Sequence, residues 1–83
     1  MRIEISRQAE KDLAKIEMPI RKRIIKELLD LENSLAGKDI KKLKGEIDRW
    51  RLRVGDYHII MTIDQDKVII LVLHIGHRRE IYR

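Results

Sequence analysis

RWRLRVGDYHIIMTID, residues 49–64, is the stretch whose reading decides the fold. Arg49, Arg51 and Arg53 alternate with Trp50, Leu52 and Val54, the period-two pattern of a strand with one charged and one apolar face. Gly55 and Asp56 form a two-residue hairpin loop, glycine in its first position suiting a type II′ turn, and residues 57–63 return as the second strand. A loop of that length sets the register: Val54 pairs with Tyr57, Arg53 with His58 and Arg51 with Ile60. His58 therefore joins the arginine face.

Outward from the hairpin, residues 64–67 read as another turn, and residues 68–75 are apolar on both alternate sets, as an interior strand requires. A polar tail follows. On the other side, residues 38–48 read as a lysine-rich connection whose apolar anchor is Leu43. Residues 1–5 alternate apolar and charged side chains, another half-buried strand. Ser6 is a helix N-cap, followed by Ala9, Leu13 and Ile16 at helical spacing, with Glu10 and Asp12 near the positive end of the helix dipole. Pro19 suits the first position of a second helix, whose stripe runs through Ile20, Ile24, Leu28, Leu31 and Leu35 to Gly37. The expected fold is a single α+β domain over residues 1–83: an N-terminal strand, a helical hairpin and an antiparallel three-strand meander. The helices pack on one sheet face, and the arginines occupy the other.

Eighty-three residues support one small core and no more. The absence of cysteine excludes a disulfide framework and thiolate metal sites, and the three histidines have no zinc-ligand spacing, so neither metal nor cofactor is expected. No charged-then-apolar leader opens the sequence, and its longest apolar run, residues 68–73, is far short of the ~18 residues of a membrane span. A soluble cytoplasmic protein without membrane contact is expected. Charged side chains make up 40% of the chain and net +5. Residues 1–40 are close to balance, with nine basic and eight acidic side chains, whereas residues 41–58 carry six against three and residues 74–83 three against one. A polyanion would meet the second half of the chain first.

Arginine matches phosphate oxygens with a planar fork of donors and keeps its charge at any useful pH, but it is a poor proton carrier. His58 is the nearby group that titrates near neutrality, and surrounding arginines would favour its neutral form, hence a base. Tyr82 adds a hydroxyl and a ring on which a nucleobase could stack. From the residues alone, plainer readings stay open: a solvated or partner-binding arginine row, an edge histidine, an interfacial tyrosine, and a solvated loop at Lys41, Lys42 and Lys44.

The ordered set resembles the RelE/ParE superfamily of bacterial and archaeal toxins. KLKGEIDRWRLRVGDYHIIMTID followed by VLHIGHRREIY carries the likeness, and the opening strand and helical hairpin extend it over nearly the whole chain. The resemblance implies the toxin of a type II toxin–antitoxin system: a metal-independent endoribonuclease that cleaves mRNA at the ribosomal A site and so inhibits translation. It also implies a cognate antitoxin as partner, in a heteromeric complex, with ribosome and mRNA as targets. Arg51 and Arg53 stand where RelE-like enzymes keep two basic residues, the first to position RNA and the second near the reacting phosphate. Arg78 matches the arginine that stabilises the transition state, and Tyr82 the tyrosine that stacks on or orients substrate. His58 departs from the pattern, since RelE itself commonly has arginine there: either phosphate-binding charge is weakened or histidine takes over proton transfer. The catalytic set is thus Arg53, His58, Arg78 and Tyr82, with Arg51, Arg49, Lys41, Lys42 and Lys44 as RNA contacts. The alternative within the superfamily is a ParE-like toxin that inhibits DNA gyrase without catalysis.

Overall fold

Residues 1–45 and 48–81 are described by the structure, a computed structural model. The elements run β1 (Arg2–Ile5), α1 (Arg7–Ala14), α2 (Met18–Leu31), β2 (Ile40–Lys42), β3 (Trp50–Val54), β4 (Tyr57–Asp64), β5 (Ile69–His77) and α3 (Arg78–Ile81). They form a five-stranded sheet in the order β1-β5-β4-β3-β2. β2 to β5 are antiparallel neighbours, and β1 lies parallel to β5. The fold is α+β, with a mixed sheet.

The hairpin has the expected register: Val54 pairs with Tyr57, Arg53 with His58 and Arg51 with Ile60. Gly55 sits at φ 60 and Asp56 is not among the positive-φ residues, as a type II′ turn demands. Leu52 and Val54 are buried in one cluster with Ala9, Leu13, Ile16, Ile24, Leu28 and Leu31 from the helical half. Ile59, Met61, Ile70, Val72 and Ile75 complete that core from β4 and β5.

Ser6 caps α1 as its sequence suggests, its Oγ accepting the Ala9 N–H at 3.0 Å. α1 has only eight residues, so Asp12 falls in its last turn and not at the positive end of its dipole. Arg21 of α2 closes the tight connection by donating to the carbonyls of Ala14 and Ile16, which the end of α1 leaves unpaired. Pro19 is the second residue of α2, and this helix stops at Leu31, well before Gly37. Leu35 still packs on the core from beyond the helix end.

Three expectations change. The connection over residues 38–48 contains a strand, β2, whose half-buried Ile40 faces the core and pairs with Leu52, in place of the anchor assigned to Leu43. The meander therefore has four strands; a three-residue edge strand is too short to display a period. The last strand begins at Ile69 and runs to His77, and Arg78–Ile81 of the supposed polar tail form a helical turn. Val68 lies in the preceding turn at φ 57, half exposed.

A β-branched residue in left-handed backbone is strained by about 1–2 kcal/mol, and asparagine tolerates that conformation better. Val68→Asn should stabilise the chain by about 1 kcal/mol, raising the thermal midpoint by roughly 4–8 °C in a domain this small. Thermal unfolding followed by circular dichroism checks this.

Candidate nucleic-acid interface

Period-two geometry distributes the basic residues. With Leu52 and Val54 turned to the helices, Arg51 and Arg53 face the other way. One row across this face is Lys41, Arg51, Ile60 and His74; the next is Arg53, His58 and Gly76. His58 and Ile60 are 7% and 8% exposed even though they point away from the helices. The Arg51 side chain belongs to the same covered floor, at 15% exposure. Its terminal nitrogen donates to Asp39 Oδ1 at 3.1 Å, and its buried Nε has no hydrogen-bond partner among the described residues. Arg53 is exposed and turns back so that its Nε donates to the Gly55 carbonyl.

Arg78 reaches the same place from the other end of the chain. Its N–H donates to the Asp56 carbonyl at 2.9 Å, and its Nε lies 4.0 Å from Asp56 Oδ1, which fixes the start of α3 to the hairpin turn. α3 lies against β4 and β5. His58 registers this convergence. Burial holds its imidazole pKa below the ordinary 6.5, and the positive charges of Arg51, Arg53 and Arg78 press it further down, against a weaker opposing pull from Asp39. Three guanidiniums from two distant segments thus act on one neutral imidazole. The arrangement can grip a phosphodiester, stabilise added negative charge on phosphorus and accept a proton.

The other basic candidates divide. Lys41 shares the arginine face beside Arg51, whereas Lys42 pairs with Trp50 on the helix-side set, and Lys44 lies in the following turn. Arg49 stands four residues from Arg53, about 13 Å along a strand at ~3.3 Å per residue. It lines a cavity of about 630 Å³ with Lys42, Trp50, Thr62 and the carboxylates of Asp48, Asp64 and Asp66, a poor setting for phosphate. Tyr82 lies outside the described residues. Arg23 was not foreseen: its guanidinium sits against the hairpin turn, where a Cβ on Gly55 would meet its Nη1 at 3.3 Å. Only helix packing brings it there.

The sequence model of the family described as the ParE toxin of the type II toxin–antitoxin system parDE matches residues 3–82. The chain is 34% identical to Toxin RelE3 of Methanocaldococcus jannaschii over 99% of its own length and 96% of that protein's. Among solved structures it resembles the RelB–RelE antitoxin–toxin complex of Methanococcus jannaschii. That match has a TM-score of 0.75 and 34% identity, covering 94% of this chain and 93% of that one. The archaeal RelE–RelB complex of Pyrococcus horikoshii OT3 gives a TM-score of 0.77 at 26% identity, with 95% and 96% covered.

The chain belongs to the RelE/ParE superfamily of type II toxin–antitoxin toxins. In this RelE/ParE member His58 lies inside the arginine cluster, which makes protonation measurable there. In the unfolded chain the imidazole takes its proton near pH 6.5; in the folded toxin it does so only at lower pH. Unfolding therefore takes up a proton between those two values, so stability is full above about 6.5 and falls as pH drops toward the folded value. Thermal midpoints measured from about pH 7.5 to about 5.5 should decline more steeply for the wild type than for His58→Gln. Equal slopes would mean that the imidazole is not held neutral.

Proposed function

We propose that this toxin is an endoribonuclease that cleaves mRNA at the ribosomal A site. The observation that carries the reading is the placement of Arg53 and Arg78 around the buried, neutral His58. In the proposed reaction His58 takes the proton from a 2′-hydroxyl, whose oxygen bonds to the adjacent phosphorus while the bond to the 5′-oxygen breaks. The products are a 2′,3′-cyclic phosphate and a 5′-hydroxyl, the departing oxygen receiving a proton from water. Arg53 and Arg78 hold the charge that builds on the phosphoryl and leaving oxygens; Arg51 and Lys41 position the RNA backbone. Tyr82 is assigned substrate orientation by family resemblance. No step in this scheme calls on a metal.

The reading extends to a partner. RelE relatives are found in complexes with RelB antitoxins, and an antitoxin covering the cationic face of this chain would neutralise charge and block RNA together. No helix among the described residues is long and apolar enough to cross a membrane.

A gyrase-inhibiting reading draws on the ParE description of the matching family. It leaves the clustering of Arg53, His58 and Arg78 without a purpose, and the 34% identical relative bears a RelE name.

Arg78→Ala should lower cleavage by about 10²-fold or more while the fold persists, the usual consequence of removing a transition-state donor. Primer extension on ribosome-bound mRNA, with a gyrase supercoiling assay alongside, is the deciding measurement; intact cleavage in this variant would remove Arg78 from the site. His58→Arg separates the two roles open to position 58. Collapse of cleavage is the expected result for a base, and retained or increased cleavage would show that the position supplies only charge.

A further inference from the structure

β5 has neighbours of two kinds. β4 flanks one edge along its length, but on the other edge β1 pairs only as far as Ile5 with Val72. The Ser6 N–H makes a last bond to the Val72 carbonyl at 2.9 Å, and the chain then leaves the sheet to become α1. At this point β5 carries a bulge: Met61 pairs with Val72 and Ile60 with His74, so Leu73 is an extra residue with no opposite number. Both the bulge and the exposed edge leave backbone groups in need of partners.

α1 supplies them with side chains. Ser6 Oγ donates to the Leu73 carbonyl at 2.9 Å, and Asp12 Oδ2 accepts the Ile75 N–H at 3.0 Å. The other Asp12 oxygen accepts from Gln8 Nε2 at 2.9 Å, so the carboxylate is braced within its own helix. Its position is unfavourable for α1 itself, because an acidic group in the last turn faces the negative end of the dipole. What Asp12 gains comes from the sheet.

The bulge also decides which way the end of β5 faces. It allows Val72 and Ile75, three residues apart, both to enter the core, and sends His74 and Gly76 to the face of Arg51, Arg53 and His58. In an unbulged register every residue after Val72 would change sides, with Ile75 exposed and Gly76 withdrawn from His58. Arg78 follows directly, two residues after Gly76.

We propose that Asp12 is a positioning residue for the active face: by holding the Ile75 N–H it locks the Leu73 bulge and so keeps Arg78 beside His58. Its effect on cleavage rests on the endoribonuclease reading, whereas its effect on Arg78 does not.

The two consequences of losing Asp12 have opposite signs at His58. Removing a negative charge would by itself lower the imidazole titration midpoint, but releasing the Arg78 guanidinium raises it. The test is a set of variants, Asp12→Ala, Asp12→Asn, Arg78→Ala and the Asp12→Ala/Arg78→Ala double, followed by NMR of the His58 imidazole and the Ile75 amide and by cleavage kinetics. Asp12→Ala should lose exchange protection at Ile75, raise the His58 midpoint, and lower kcat by about tenfold to a hundredfold with little change in KM, as misplacing a catalytic group by about an ångström does. In the Arg78→Ala background the same change should no longer raise the His58 midpoint. Asparagine keeps an acceptor oxygen for Ile75 and should restore all three readings, which a loss of charge would not allow. If the alanine variant is unfolded, Asp12→Leu, a good helix former that has no acceptor and whose larger side chain fills the space alanine would leave at this half-buried position, takes its place with the same expected readings.

A His58 midpoint that falls or stays put in Asp12→Ala, continued protection of Ile75, or an asparagine variant as impaired as alanine would each overturn the proposal. If wild-type toxin cuts no ribosome-bound RNA, the endoribonuclease reading fails by itself, and the NMR readings alone decide the role of Asp12.

Discussion

Everything the cationic face does depends on alternation along β3, locked by a two-residue turn. Leu52 and Val54 must enter the core, so Arg51 and Arg53 must leave it. A one-residue slip would drive two guanidiniums among Ile24, Leu28 and Ile59 and expose the apolar pair. Burial of unpaired charge is costly enough to exclude that register. The same hydrophobic term that builds the core thereby orients the cations, and no interaction specific to RNA is needed to form the face.

Like charges collected on one face repel, and the fold moderates this without removing it. Asp39, on the segment leading into β2, takes up one arm of Arg51, while its own backbone carbonyl accepts the Arg53 N–H. Asp56 in the turn receives Arg78 through its backbone and faces that guanidinium across 4.0 Å. Lys38, whose pKa is raised mainly by its hydrogen bond to Glu27, is spent on α2 and anchors the approach to β2. What remains uncompensated is grouped around His58. Covered by its surroundings and pressed by three guanidiniums, the imidazole is neutral where an exposed one would be partly charged. A neutral imidazole beside fixed cations joins a proton acceptor to electrostatic stabilisation of phosphate.

The helical half contributes more than a lid for the core. α1 stands in for a strand along the upper edge of β5, with Ser6 and Asp12 taking the bonds that β1 abandons at Val72. Arg21 stitches the two helices by their shared turn, and Arg23 rests on the hairpin from outside. Elements far from the arginine row in sequence thus set where its neighbours lie.

The amino-acid sequence by itself determined whatever depends on periodicity and turn chemistry. That includes the hairpin register, the separation of Arg51 and Arg53 from Leu52 and Val54, the place of His58 opposite Arg53, the Ser6 cap, the helical pair and the α+β class. These are local, written at spacings of two or three to four residues. Tertiary structure alone decided the rest: the parallel docking of β1 on β5, the brief strand at residues 40–42, the bulge at Leu73, the separation of Lys42 and Arg49 from the arginine cluster, and the arrival of Arg78 and Arg23 at the hairpin. Each of those is settled by which backbone groups and side chains lack a partner once the sheet is assembled, and such a vacancy exists only between segments that the sequence keeps far apart.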